Sequence, residues 1–392
     1  MRKQLGVIMV LLMTLFIGFA IIIPVVPVMV EDAGAAPLHL GLMLSLYSLA
    51  SFLLSPFWGG LSDKIGRRPI IMMGLIGFSI SFLLFGISEG QLWLMYVSRI
   101  LGGLFSGAAT ACAVAYVADI TTEDQRTKGM GLVGMSIGLG FIFGPAIGGL
   151  LSQFGNEVPF FAASGLAFLT LLFAFAYLPE SLTPDKRRGA NEPKVSRWKA
   201  FEGSLKYLYI LSFFVSFSLA AMEATLQYYQ AKRFGATPTD IGWMFLASGI
   251  VGALIQGGVV RRMVKKGGEW KAILAGLIIS GIGFLLIIFS YNLWTAMLFL
   301  SVYGIGNALI RPCVTSLITQ KTSVGQGVAS GLNSSMDSLG RIAGPLTGTA
   351  LFHLDIGLPF LFGGMVSFLA IILLQRFVTL DRSLQRTGNA GG

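Results

Sequence analysis

Apolar residues run for about twenty positions at a time along most of this chain, and short polar or glycine-rich stretches separate the runs. A run of that length crosses the hydrocarbon of a bilayer as an α-helix. Six runs come first, near 5–27, 40–62, 69–88, 91–113, 129–151 and 159–179. Six more lie near 206–230, 239–262, 271–290, 293–318, 326–351 and 357–377. The pattern predicts an all-α integral membrane protein with twelve transmembrane helices. The first run exceeds the apolar core of a signal peptide and no small-residue cleavage site follows it, so it counts among the spans.

The only long hydrophilic stretch lies between the sixth and seventh runs. It divides the chain into an N-terminal six-helix bundle (1–180), a cytoplasmic linker (181–205), a C-terminal six-helix bundle (206–378) and a cytoplasmic tail (379–392). The halves also repeat. Gly144-Pro145 in the fifth span recurs 200 residues later as Gly344-Pro345 in the eleventh. The loop after the second span, Gly59–Arg68, has a weaker echo at 257–266, with glycines at its start and basic residues at its end. Two pseudo-symmetric six-span halves are an architecture of secondary transporters, whose sites lie near the bilayer midplane.

Composition supports the membrane assignment. Only 12% of the residues are charged and 54% are hydrophobic, whereas soluble chains carry about a quarter charged residues. The net charge of +10 raises the question of nucleic acid, and the positions of the basic residues answer it. Nearly all fall in loops on one side, from Arg2 and Lys3 through Lys64, Arg67 and Arg68 to the clusters at 186–206 and 261–271. The opposite side has Lys232 and Arg233. This bias puts both termini and the linker in the cytoplasm, against anionic lipid, and leaves no need for nucleic acid. Cys112 and Cys313 give neither a metal-ligand spacing nor a disulfide framework, and His39 and His353 stand apart in loops. The dipeptide Gly-Lys is absent, so there is no P-loop; His-Glu-x-x-His and Cys-x-x-Cys are absent too. The sequence reads as a transporter rather than an enzyme, with no cofactor and no metal.

The first cytoplasmic loop reads Gly59-Gly60-Leu61-Ser62-Asp63-Lys64-Ile65-Gly66-Arg67-Arg68. It resembles the loop signature of the major facilitator superfamily, whose fixed types here are Gly59, Leu61, Asp63, Gly66 and Arg67. Arg99-Ile100-Leu101-Gly102-Gly103 with Gly107 resembles the fourth-span motif, and Gly140–Gly149 resembles the fifth-span antiporter motif. Pro24-Val25-Val26-Pro27 is similar to the twelve-span drug:proton antiporter branch. Ala221-Met222-Glu223, Arg311-Pro312 and Gly331-Leu332-Asn333-Ser334 extend the likeness to multidrug efflux pumps of Gram-positive bacteria. The resemblance implies gating by Gly59, Asp63, Gly66, Arg67 and Arg68 and by Gly144, Pro145 and Gly148; Asp119 and Arg341 are further gating candidates.

Charged residues inside spans are costly and point to function. They are Arg99, Glu223, Arg311, Asp337 and Arg341. Glu223 has no basic residue one helical turn away in sequence, and it is the candidate for proton coupling. A buried carboxylate suits that task because burial opposes its ionised form. Asn333, Asp337 and Arg341 share one helical face at i, i+4 and i+8, so Asp337 and Arg341 are expected to pair with each other. Ala308 stands where some efflux relatives have a tenth-span acid, with Asn307 beside it, so Asp337 is the candidate for a second coupling group. Arg99, Glu223, Asn307, Arg311, Tyr228, Phe141 and Phe16 are candidate substrate contacts. Tyr47, Met222, Tyr229, Trp243 and Tyr303 add adaptable aromatic and thioether surface suited to lipophilic cations.

The sequence therefore reads as a proton-coupled antiporter that exports hydrophobic, often cationic compounds by alternating access. Its setting is a bacterial plasma membrane, with membrane lipids around a monomer. An exporter of one antibiotic, sugar or metabolite is the nearest alternative. A non-transporting membrane sensor is disfavoured because the loops are too short for a signalling domain.

Overall fold

The computed structural model describes residues 2–88, 90–182, 201, 203–260, 262–263, 268–322 and 326–390. Regular structure among them is helical throughout. The chain forms two compact units, Met1–Glu192 with Ala236–Leu246, and Pro193–Gly235 with Ala247–Gly392. Most of the 181–205 linker and the basic end of the second-half loop echo lie outside the described residues.

In the first unit the helices are α1 (Arg2–Ile21), α2 (Val26–Asp32), α3 (Pro37–Ile65), α4 (Arg67–Gly86), α5 (Leu92–Ile120), α6 (Glu123–Leu151) and α7 (Val158–Tyr177). Then come α8 (Leu205–Phe234), α9 (Pro238–Ile255), α10 (Glu269–Ile287), α11 (Leu293–Lys321), α12 (Gln326–Leu354) and α13 (Leu358–Ala390). The first nine residues of α9, 238–246, belong to the first unit, which reaches Leu246.

Eleven helical segments among the described residues are long and apolar enough to cross a membrane. They coincide with eleven of the expected runs. The expected eleventh run is also a helix, α12, but Asn333, Asp337, Arg341 and their serine neighbours make it too polar to join that set. The first crossing, Gln4–Asp32, is longer than expected and is broken between α1 and α2. The break follows from Pro24 and Pro27. Pro24 offers no N–H, and the amides of Val25 and Val26 both turn back to the Ile22 carbonyl, at 3.1 and 3.0 Å. Pro27 fits the first turn of α2, where a missing donor costs little.

Small residues set the closest helix contacts, as expected where apolar surroundings give no drive to associate. A side chain at Gly140, Gly144 or Gly148 of α6 would overlap Phe16, Ala20 or Ile21 of α1. In the second unit, Gly340, Gly344 and Gly348 of α12 press in the same way on Ser216–Phe217, Ala220 and Ala221 of α8. The two triplets, and their partners Ala20 and Ala220, stand 200 residues apart. The repeat first seen at Gly144-Pro145 is thus a repeat of one helix–helix contact.

Candidate functional site

In the second unit the polar face of α12 meets α8 and α11. Ser212 Oγ donates to Asn333 Oδ1 and Ser216 Oγ donates to Asp337 Oδ1, both at 2.6 Å. Asp337 Oδ2 faces Arg311 of α11 at 3.8 Å. Arg341 pairs with Glu223 of α8 at 3.6 Å, and that pair is the better buried, with side chains 20% and 12% exposed against 37% and 29% for Arg311 and Asp337. The expected Asp337–Arg341 pairing is thereby replaced by two interhelical pairs. Glu223 is likewise no lone carboxylate. Spacing along one helix reveals i, i+4 neighbours only, and the partner of Glu223 comes from a different helix.

The first unit handles its buried charge differently. Arg99 of α5 is 1% exposed. Its guanidinium lies 4.6 Å from the Phe85 ring centroid, 5.3 Å from that of Phe82 and 6.0 Å from that of Tyr47. Cation–π attraction offsets part of its desolvation. No carboxylate pairs with it among the described residues, and its Nε has no hydrogen-bond partner. Phe16 packs on Phe141 at 5.6 Å, Phe141 on Phe19 at 5.7 Å, and Phe19 on Tyr47 at 5.5 Å. Three expected contacts, Phe16, Phe141 and Arg99, are therefore linked by one aromatic chain. Phe19, Phe82 and Phe85 were not legible as members of it, because the chain crosses helices.

The loop signature is a charged knot. Gly66 ends α3 at φ +110°, a conformation that favours glycine, and this turn sets Arg67 at the start of α4. Arg67 Nη1 pairs with Asp63 at 2.6 Å and Nε with Asp119 of α5 at 3.0 Å. Glu180, absent from the expected set, completes the knot. Its Oε1 accepts from the amides of Arg67 at 2.8 Å, Ser181 at 3.0 Å and Leu182 at 3.1 Å, and its Oε2 from that of Arg68 at 3.1 Å. A carboxylate there satisfies the free N–H groups at the positive end of α4. The Arg68 side chain donates to the Phe175 carbonyl at 2.7 Å, Ser181 Oγ to Asp119 at 3.0 Å, and Tyr116 to the Pro179 carbonyl at 2.8 Å. The end of the sixth span is thereby tied to the signature loop.

The Major Facilitator Superfamily model matches residues 8–267 and 208–391, nearly the whole chain. The chain belongs to the Major Facilitator Superfamily. Among curated facilitators, quinolone resistance protein NorA of Staphylococcus aureus (strain COL) is 32% identical over 381 residues, covering 95% of this chain and 96% of that protein. Multidrug resistance protein 2 of Bacillus subtilis (strain 168) is 34% identical over 357 residues, covering 90% of this chain and 89% of that one. The crystal structure of the human organic anion transporter MFSD10 superposes with a TM-score of 0.72 at 27% identity, over 95% of this chain and 99% of that one. The nucleoside transporter NupG superposes at 0.76 with 13% identity, over 96% of this chain and 98% of that one, which shows the fold alone.

Of the remaining residues expected at the site of this facilitator, Tyr228 is buried with its ring 5.9 Å from Phe352. Tyr229 donates to the Ile288 carbonyl at 2.7 Å, and Trp243 is exposed. Asn307 Oδ1 is buried and faces into the second unit's interior.

Proposed function

We propose that this multi-pass facilitator exports hydrophobic, often cationic compounds in exchange for protons, by alternating access, as a monomer in a bacterial plasma membrane. The observation that carries the reading is the Glu223–Arg341 pair, buried between α8 and α12. The resistance proteins NorA and multidrug resistance protein 2, similar over most of the chain, support it.

A proton on Glu223 neutralises the carboxylate, frees Arg341 and removes the anion that would hold a cation. Loss of the proton restores both. Proton and cationic substrate thus compete for one group, and their different affinities for the two states bias the conformational change. Asp337, held by Ser216 and Arg311, is the second candidate for this exchange. Phe16, Phe141, Tyr228, Arg99 and Arg311 supply contact surface. The Asp63–Arg67–Asp119 knot, the α1–α6 contact at Gly144, Pro145 and Gly148, and Arg341 gate the cycle.

The proposal includes twelve crossings. The polar face of α12 is engaged by Ser212, Ser216, Glu223 and Arg311, and polar side chains so engaged can be accommodated in hydrocarbon. The basic loops then place both termini in the cytoplasm, and membrane lipids surround the bundles. Efflux of a fluorescent lipophilic cation from cells expressing the full chain tests the reading. A protonophore and Glu223→Gln should each stop it. Undiminished efflux in Glu223→Gln cells would refute it.

A further inference from the structure

Four charged side chains from three helices come together in the second unit. Arg341 Nη1 lies 3.6 Å from Glu223 Oε2, and Arg311 Nη2 lies 3.8 Å from Asp337 Oδ2. Both gaps exceed the roughly 2.7–2.9 Å of a charge-assisted hydrogen bond, so each pair is a loose one. Asp337 Oδ1 accepts from Ser216, while its Oδ2 accepts no hydrogen bond among the described residues and has room for a donor. Around Glu223, α11 also brings Arg311 and Tyr303 within electrostatic reach. Helix α13 packs on α8 as well, and it has no titratable side chain between 358 and 375.

A proton on Glu223 takes the acid from the Arg341 pair, and a buried charge whose partner is lost is strongly destabilising. A replacement stands on the same helix. Asp337 and Arg341 are one turn apart on α12, which runs through both positions. Helical side chains lean toward the N-terminus, so Arg341 leans over the turn that carries Asp337. Acid before base is also the better order for such a pair. Arg311 competes weakly for Asp337, because its side chain is 37% exposed and can be served by water.

We propose that Arg341 changes partner when Glu223 takes up a proton, leaving α8 and pairing with Asp337 on its own helix. The switch rests on the proton exchange at Glu223 proposed above. The pairing suggested by spacing along α12 is then the protonated arrangement, and the two interhelical pairs are its ionised counterpart. Protonation removes the ion pair between α8 and α12 and leaves Arg311 as the exposed cation. The four groups together gain one positive charge, which repels a cationic substrate at the step when it must leave.

Thermal unfolding of the purified full-length protein in detergent tests the switch. Glu223→Gln mimics the protonated form, so Arg341 should already sit on Asp337. Asp337→Asn should then lower the unfolding midpoint much further in Glu223→Gln than in the wild type, where Arg341 keeps Glu223. Equal losses in the two backgrounds would overturn the proposal. Infrared difference spectra cover the case in which the doubly changed protein does not fold. The carboxylate stretch of Asp337, assigned by its loss in Asp337→Asn, should shift as the carboxyl band of protonated Glu223 grows in at falling pH. In Glu223→Gln it should be shifted already at neutral pH. A Glu223 band with an unmoved Asp337 stretch would overturn the switch and leave proton exchange standing. No Glu223 band at any pH would overturn both.

Discussion

The first unit buries Arg99 within its spans with no acid paired to it among the described residues, whereas the second sets two acids against two bases. They share a helix contact, since the glycine triplets of α6 and α12 repeat at a spacing of 200 residues. The charges do not repeat. Glu223, Asp337 and Arg341 stand where the first half has Ile23, Ile137 and Phe141; α5 and α11 repeat one residue further on, so Arg311 stands where the first half has Thr110 and Arg99 where the second half has Leu300. The chain thus keeps one packing scaffold twice and places different chemistry on each copy. A cation held by aromatic faces has no proton to exchange near neutral pH. A carboxylate opposite an arginine has two states that differ in charge and in what the arginine can touch. Under the proposed function, proton exchange therefore belongs to the second unit.

The largest effect should come from the acid itself. Glu223→Gln keeps the shape of the side chain but fixes it neutral, and it should lower gradient-driven transport of a lipophilic cation by about a hundredfold or more, the scale of a lost proton-transfer group. Initial rates in proteoliposomes measure this. Arg99→Gln at a similar cost would erase the contrast between the units.

Stability should separate the units next. Arg341→Leu strands Glu223, and breaking a buried pair this way costs about 3 kcal/mol. Thermal unfolding in detergent should show the fall, and the double variant Glu223→Gln, Arg341→Leu should recover most of it. Arg99→Leu removes a charge that no acid stabilises, so the midpoint should hold or rise while transport slows. A fall as deep as that of Arg341→Leu would show that Arg99 has a stronger partner than its rings.

A smaller effect tests the shared scaffold. Gly148→Leu and Gly348→Leu each drive a side chain into the facing helix, an overpacking that costs about 1–3 kcal/mol. Similar losses of stability are expected in the two variants. A large loss in one and none in the other would mean that the repeat is not a repeat of packing.

The smallest concerns the signature knot. Glu180→Gln leaves an acceptor at the head of α4 but removes its charge, and transport should slow about fivefold, equivalent to about 1 kcal/mol. Asp63→Asn should also slow transport while equilibrium binding of the cation stays intact. Lost binding in a folded Asp63→Asn protein would make this loop part of the site instead.

Much of the fold was legible because apolar runs of span length leave few alternatives, and because Gly144-Pro145 and Gly344-Pro345 mark one contact twice. The individual motif residues were legible where function is local: Asp63 and Arg67 are four residues apart across the Gly66 turn and do pair. The pairing of Asp337 and Arg341 failed on the same rule. It sees neighbours on one helix, while Arg311 and Glu223 arrive from two others. Glu180 was missed for a similar reason, since it serves amides 113 and 112 residues away and no side-chain pattern records a backbone partner. The broken first crossing was written in Pro24 and Pro27, which spell out a missing donor and a favoured helix start.

Transport in proteoliposomes under imposed gradients tests proton exchange at Glu223 most directly. An outwardly and an inwardly directed pH gradient, and matching sodium gradients, would be applied to wild type and Glu223→Gln with one lipophilic cation. The account predicts uphill cation movement opposite to the proton gradient in the wild type, no response to sodium, and no uphill movement in Glu223→Gln. Uphill, proton-driven movement of the cation by Glu223→Gln would contradict it.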